Sequence, residues 1–209
     1  MTAISLLCPS RGRVPLLAKS VEGLLALAAK PGEVEILVAA DPDDTATQHV
    51  VLPNTRVWTA PARLGYAHLQ DYYNALAGMA SGEWVMLWND DAYMQTQGWD
   101  QIITSQEPGV VWGIPCNPYS KPGDPSEFPA LPAAWVKAWG HLCLAMQIDT
   151  WVNEIALKTG TTRLTDISIA HERTLDQTWS EQTHAHAFMN PEMVRARIAD
   201  AATIMELLA

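Results

Sequence analysis

Two adjacent carboxylates, Asp90 and Asp91, stand with Asn89 directly after the apolar run Trp84-Val85-Met86-Leu87-Trp88. The run follows Ser81-Gly82, a turn signal, and reads as a buried strand. Ionised side chains inside a buried strand would carry a large desolvation cost, so the pair belongs at the strand's exposed carboxyl end. That is where open α/β sheets bind ligands. Hard oxygen donors there suit Mg²⁺ or Mn²⁺ carrying a phosphorylated substrate. Asn-Asp-Asp is also ordinary turn chemistry, so a solvated strand-to-loop turn is the plain alternative.

The elements that must position this group follow from periodicity. Ala3 to Cys8 reads as a first strand, with Pro9-Ser10-Arg11-Gly12-Arg13 as the loop at its end. Pro15 to Ala29 has helical spacing, with Leu17, Val21, Leu24, Leu25 and Ala28 on one face, and Pro31-Gly32 stops it. Val34 to Ala40 is a continuous apolar strand of the parallel-sheet kind, ending on a second acidic loop, Asp41-Pro42-Asp43-Asp44. Thr55 to Thr59 is a short strand, and Tyr66 to Ala80 a helix with Leu69, Tyr72, Tyr73, Leu76 and Met79 inward. Such strand–helix alternation predicts an α/β layer on a mostly parallel sheet. Beyond Gly98, Val110 to Pro115 reads as a strand and Asn117 to Pro132 as a Pro/Gly-rich loop long enough to be functional, a candidate lid. Asp149 to Thr159 reads as a helix stopped by Gly160, and Arg163 to Ala170 as an extended segment ending on His171. Pro191 to Leu208 is a terminal amphipathic helix with the stripe Met193, Val194, Ile198, Ala201, Met205 and Leu208, which can pack on the body or against a second subunit.

Composition bounds the function. With 209 residues, 48% hydrophobic and 17% charged, the chain makes one sizeable globular domain. Its formal charge of −10 and lack of a dense Lys/Arg run count against broad nucleic-acid binding. Nine tryptophans exceed what a core of this size needs, so some can be flat platforms for sugars or bases, Trp135 and Trp139 on one helix face among them. Cys8, Cys116 and Cys143, with no CxxC pair, read as thiols of a reducing compartment. With no stretch approaching a membrane span and no signal-peptide pattern, the expected location is cytoplasmic.

In their order these elements resemble a family-two-type glycosyltransferase of the GT-A (Rossmann-like) fold, a nucleotide-sugar-dependent enzyme with an Asp-rich metal motif. The resemblance covers roughly Ala3 to His171. It rests on Cys8 to Arg13 as the opening loop at the donor nucleotide, and on Asp41 at the second strand's end, where the family contacts the nucleobase. Next come Arg63-Leu64-Gly65, Asn74 and Ala80-Ser81-Gly82-Glu83-Trp84, similar to the family's run into the metal strand. Asn89-Asp90-Asp91 falls on the metal motif, and Met146-Gln147-Ile148-Asp149, Gly160 and His171 resemble the family's tail. The fold implied is a mixed, mostly parallel sheet flanked by helices, with a C-terminal helix. Residues 1–94 would be the nucleotide-sugar-binding half, 95–189 the acceptor and catalytic half of the same domain, and 190–209 the terminal helix.

The resemblance implies an inverting, divalent-metal-dependent transfer of a sugar from a nucleoside diphosphate, uridine-linked, to a hydroxyl of a soluble acceptor. Asp149 would be the catalytic base, and Asp91 and His171 the ligands of Mn²⁺ or Mg²⁺. Pro9, Ser10, Arg11, Arg13, Asp41, Arg63, Gly65, Asn74, Asn89 and Asp90 would face the donor, the two arginines as a clamp on the diphosphate. Each has a plainer reading: Asp149 as a helix-start residue favoured by the macrodipole, His171 as a surface histidine, and Arg11 and Arg13 as a solvated turn. His184 and His186 could line an acceptor site or be merely exposed. Asn89 stands where the family has Asp, Ile148 where it has Glu, and Asp41, Asp43 and Asp44 leave the nucleobase contact open by register. The same fold could instead serve a sugar-phosphate nucleotidyltransferase, although one Gly in the opening loop is poor for holding a triphosphate. A non-catalytic nucleotide-sugar or glycan-binding module is the other alternative. Modified DNA is a minor candidate acceptor, and homo-oligomers through the terminal helix are a further option.

Overall fold

The structure, a computed structural model, describes residues 1–105, 108–117, 126–172 and 189–209. Its main sheet has the order β3-β2-β1-β4-β8-β6-β9. The strands β1 (Ile4–Pro9), β2 (Val34–Ala40), β3 (Thr55–Thr59) and β4 (Trp84–Leu87) pair in parallel, and β8 (Ala130–Pro132) enters antiparallel to β4. Beyond it, β6 (Val111–Gly113) is antiparallel to β8 and parallel to β9 (Thr162–Leu164). A small second sheet sets β10 (Ile169–His171) between β5 (Ala92–Met94) and β7 (Cys116–Asn117).

The continuous apolar strands are explained by cover on both faces. Leu7, Leu37, Ala39, Val85 and Leu87 point into one core with α3 (Leu69–Met79), α5 (Ala133–Trp139), α6 (Ile148–Thr159) and α7 (Pro191–Leu207). The alternate residues Ile4, Leu6, Ile36, Val38, Trp84 and Met86 point into the other, with α1 (Val14–Leu27) and α4 (Trp99–Thr104). Ser20 on α1 donates to the Ala92 carbonyl at 2.6 Å and accepts from the Trp88 indole at 2.8 Å, which ties that helix to the end of β4. At the amino end of the sheet, a Cβ on Gly82 would lie 2.8 Å from the Ser5 nitrogen and 2.9 Å from the Ile4 carbonyl carbon. Only glycine lets the chain enter β4 so close to β1.

Several expectations need correction. The loop expected over Asn117 to Pro132 ends in β8, which sits centrally in the sheet; only three residues long and bounded by prolines, it carried no readable period. The extended segment before His171 is two strands in two sheets, β9 and β10. The terminal helix does pack on the body, but only partly by the expected stripe: Ala201 is buried and Met193 packs on the core, Ile198, Met205 and Leu208 are exposed, and Arg197, Asp200 and Ile204 are buried beside them. Its inward face is partly polar because its partners are polar. Arg197 donates to Glu154 at 2.9 Å and lies over the Trp151 ring, and Asp200 accepts from the Trp151 indole at 3.0 Å. Trp84, Trp88, Trp99, Trp135 and Trp151 are fully buried, and Trp139 stacks edge-on against Trp135, so that pair serves the core.

Candidate active site

The parallel strands β1, β2 and β4 deliver their loops to one edge. The ladder continues past β1 through the Ser10 amide, which donates to the Ala39 carbonyl, and past β4 through the Trp88 amide, which donates to Leu7. The Ser10 hydroxyl is thereby placed 2.7 Å from Asp90 Oδ2. One nitrogen of Arg13 lies 3.1 Å from Asp90 Oδ1 and 3.1 Å from Asp91 Oδ2, bridging the two carboxylates. The third member arrives from far along the chain. Antiparallel pairing of β10 with β5 sets His171 opposite Ala92, and its Nε2 lies 2.9 Å from Asp91 Oδ1 and 3.4 Å from the Asn89 amide. The other ring nitrogen, Nδ1, is 2.9 Å from Glu127 Oε2, and the buried Phe128 ring meets the imidazole edge-on.

A second group forms at the end of β2. Asp41, buried, accepts from Arg11 at 2.8 Å and from the Tyr72 hydroxyl, which in turn accepts from the Leu64 and Gly65 amides. Arg11 also grips the exposed Asp43, and Arg63 reaches that carboxylate at 4.0 Å. Asp44 is spent on structure: it takes the Gly12 amide at 2.7 Å and caps the short helix α2 (Thr45–Gln48). Of the three acidic residues of the second loop, Asp41 and Asp44 are buried and Asp43 is exposed, and Asp41 directly follows the strand end.

The Asn74 amide is committed to the backbone of Leu142 and Cys143 and pins that turn to α3. Asp149 sits in the first turn of α6, and the Asn153 side chain ties its carbonyl to that of Ser126, beside Glu127. His184 and His186, and the part of the proposed lid at 118–125, lie outside the described residues.

The charges are unequal in their settings. Burial pushes the Asp90 carboxyl above its usual range, with neighbouring Asp91 adding to this against the opposing pull of Ser10 and Arg13. Burial acts on Asp91 too, but His171 and Arg13 outweigh it and hold the carboxyl low. Asp149 is raised by desolvation, and the charge of Glu127 raises it further. For His171, desolvation is overcome by Asp91, Cys116 and Glu127, and the imidazole is pushed up to about 11. One carboxyl, Asp91, is thus held low while Asp90 and Asp149 are made more basic, which is the separation that acid–base and ligand chemistry draws on.

Glu127, Cys116, Tyr72 and Tyr73 were not singled out from sequence. Glu127 lies in the Pro/Gly-rich segment flagged for its length, its only signal. Tyr72 and Tyr73 were read as core residues, and both are buried, yet their hydroxyls reach Asp41 and Asn89 respectively.

No family model matches the sequence, and no curated protein matches it. Solved structures do. The fold is similar to that of S. aureus TarS 1–349 in complex with UDP, with a TM-score of 0.67 at 14% identity over 99% of this chain and 71% of that one. It is similar to the same fragment in complex with UDP-GlcNAc, with a TM-score of 0.66 at 14% identity over 86% and 61%. A mannosyltransferase from Pyrobaculum calidifontis in complex with GDP-Man and Mn²⁺ gives 0.58 at 14% identity over 96% and 73%. In a further TarS 1–349 structure the chain spans 60% of that chain's length. The chain has the GT-A fold of nucleotide-sugar-dependent glycosyltransferases. Among the described residues, no helix is long and apolar enough to cross a membrane.

Proposed function

We propose that this chain is an inverting, divalent-metal-dependent glycosyltransferase that moves a sugar from a nucleoside diphosphate, uridine-linked, to a hydroxyl of a soluble acceptor. The observation that carries the reading is the convergence of Asp90, Asp91 and His171 at the carboxyl edge of a GT-A sheet, where cationic groups of the chain hold the carboxylates. The donor set fits Mn²⁺ or Mg²⁺ through the adjacent carboxylates of Asp90 and Asp91, and the His171 nitrogen 2.9 Å from Asp91 would complete it. When bound, such an ion supplies Lewis-acid stabilisation of the departing diphosphate. The UDP and UDP-GlcNAc of the TarS structures and the GDP-Man and Mn²⁺ of the mannosyltransferase support the donor class and the metal.

The remaining roles belong to the chain's own side chains. Arg13 and Arg11, at the loop after β1, would exchange their carboxylate partners for phosphate oxygens as the donor enters. Asp41 at the end of β2 would face the nucleobase, with Pro9, Ser10, Arg63 and Gly65 shaping the same pocket and Asn89 offering its amide to the ribose. Asn74 would act at a distance by fixing the turn at Leu142 and Cys143. Asp149, made more basic by burial, would take the acceptor hydroxyl's proton as its oxygen attacks the anomeric carbon and the bond to the diphosphate breaks, inverting that centre. The buried thiols, none of them in a disulfide, fit a reducing, cytoplasmic setting.

Release of nucleoside diphosphate from a panel of nucleotide sugars tests this, because slow transfer to water needs no known acceptor. Mn²⁺-dependent release from a uridine-linked sugar, lost in Asp91→Ala, is the expected result. Release from none of the panel would refute the proposal.

A further inference from the structure

The His171 ring faces two ways, and the side turned from Asp91 holds a ligand set of different chemistry. Among the described residues, one cluster places a thiol, a carboxylate oxygen and an imidazole nitrogen within 4.8 Å of one another: Cys116, Glu127 and His171. Cys116 is buried, Glu127 and His171 partly so, and the Glu127 carboxylate gives the cluster an opening to solvent. The three come from separate parts of the chain. Cys116 on β7 and His171 on β10 lie on neighbouring parallel strands, and Glu127 lies in the segment between β7 and β8. Because Glu127 lies against Nδ1, an ion held with it takes that nitrogen and leaves Nε2 directed at Asp91.

We propose that Cys116, Glu127 and His171 form a binding site for a thiophilic divalent ion of the Zn²⁺ or Co²⁺ type, sharing only His171 with the oxygen-rich donor edge. Sulfur and imidazole select such ions over Mn²⁺ and Mg²⁺, and the order of affinities for first-row metals runs the same way. Three protein ligands leave a fourth position for water, and the partly exposed Glu127 supplies the way in. On binding, the metal–sulfur bond replaces the S–H bond of Cys116 and the metal–nitrogen bond replaces the Nδ1–H bond of the His171 imidazolium, both protons pass to solvent, and nothing is oxidised or reduced. An ion at Nδ1 would also fix the ring that meets Asp91 and so act on the donor edge. That consequence alone rests on the transferase reading; the site itself does not.

The test is a titration of the purified, fully reduced protein with Co²⁺ alone, followed by absorption. The expected result is a thiolate-to-cobalt charge-transfer band saturating at one equivalent and removed by Zn²⁺. The band should vanish in Cys116→Ser and persist in Cys8→Ser and Cys143→Ser, whose thiols lie outside the cluster. Glu127→Gln, at a partly exposed position, should shift saturation to higher Co²⁺ and covers the case in which Cys116→Ser does not fold. Absence of the band at saturating Co²⁺, or its survival in Cys116→Ser, would overturn the proposal. Neither result bears on nucleotide-sugar turnover in Mn²⁺, so the two readings fail separately.

Discussion

Two buried acidic groups lie at opposite ends of the same strands, and they are satisfied in different ways. At the amino end, Glu35 on β2 accepts from the Ser5 hydroxyl at 2.6 Å, the Ser81 amide at 2.7 Å and the Ser81 hydroxyl at 2.8 Å, with Arg56 more distant at 3.8 Å. These donors are neutral and short, and the close approach of Gly82 to β1 holds them in place. At the carboxyl end, Asp90 and Asp91 share the guanidinium of Arg13, and Asp91 takes the imidazole of His171. Those partners are cations on longer or hinged side chains, which a metal ion can replace and a phosphate can draw away. A carboxylate tied down by neutral donors serves the fold, and one balanced by exchangeable cations is poised for a ligand. Glu35 lies within an apolar strand and Asp90 and Asp91 just beyond one, and their partners complete the distinction.

The largest expected effect tests the reactive side of that contrast. Asp149→Asn should lower transfer by about 10²- to 10⁴-fold while leaving nucleotide affinity near wild type, as a turnover assay paired with a binding titration would read. Loss of binding in step with turnover would place Asp149 with the structural acids instead. Next, Gly82→Ala should destabilise the fold by about 3 kcal/mol, the upper range for overpacking, because the added carbon meets backbone atoms of Ile4 and Ser5 that cannot rotate away. Chemical denaturation gives that value directly.

Glu35→Gln should cost about 2 kcal/mol near neutral pH, as expected for hydrogen bonds to a charged group. Desolvation raises the Glu35 carboxyl, but the bonds from Ser5 and Ser81 and the charge of Arg56 outweigh it, and the net shift is downward. A depressed folded-state value means the stabilisation is present in full above the ordinary glutamate value of about 4.3. It is lost as the pH falls below that value and through the folded one. The gap between wild type and Glu35→Gln should therefore close on acidification, and a gap that widens would contradict this account of the amino end. The smallest effect is expected for Asp90→Asn in the absence of ligands. Burial and the charge of Asp91 already disfavour the ionised Asp90 carboxyl, so its loss should change stability less than the loss at Glu35.

Much of the fold was legible because parallel strands covered on both faces carry long apolar runs. Val34–Ala40 and Thr55–Thr59 have the bounds read from sequence, and Gly160 does end α6 in the left-handed region at φ 70°. What stayed hidden lacked a period or had a polar partner. β5, β7 and β8 are two or three residues long, and the inward face of α7 uses Arg197 and Asp200, which no hydrophobic stripe would select. At the site, Asp90 and Asp91 stood out as carboxylates ending an apolar strand, and His171 entered through the ordered resemblance. Glu127 could not, because its contact with His171 depends on pairing between β5 and β10, across more than seventy residues of chain.

The central claim is that the Asp90–Asp91–His171 edge binds a nucleoside diphosphate through a divalent ion. Thermal melting of the protein with uridine diphosphate, with and without Mn²⁺, tests it most directly, because a ligand specific to the folded state must raise the melting temperature. The expected result is a rise that requires both nucleotide and Mn²⁺ and disappears in Asp91→Ala. No rise with any nucleoside diphosphate, or an equal rise without Mn²⁺ and in Asp91→Ala, would contradict the account.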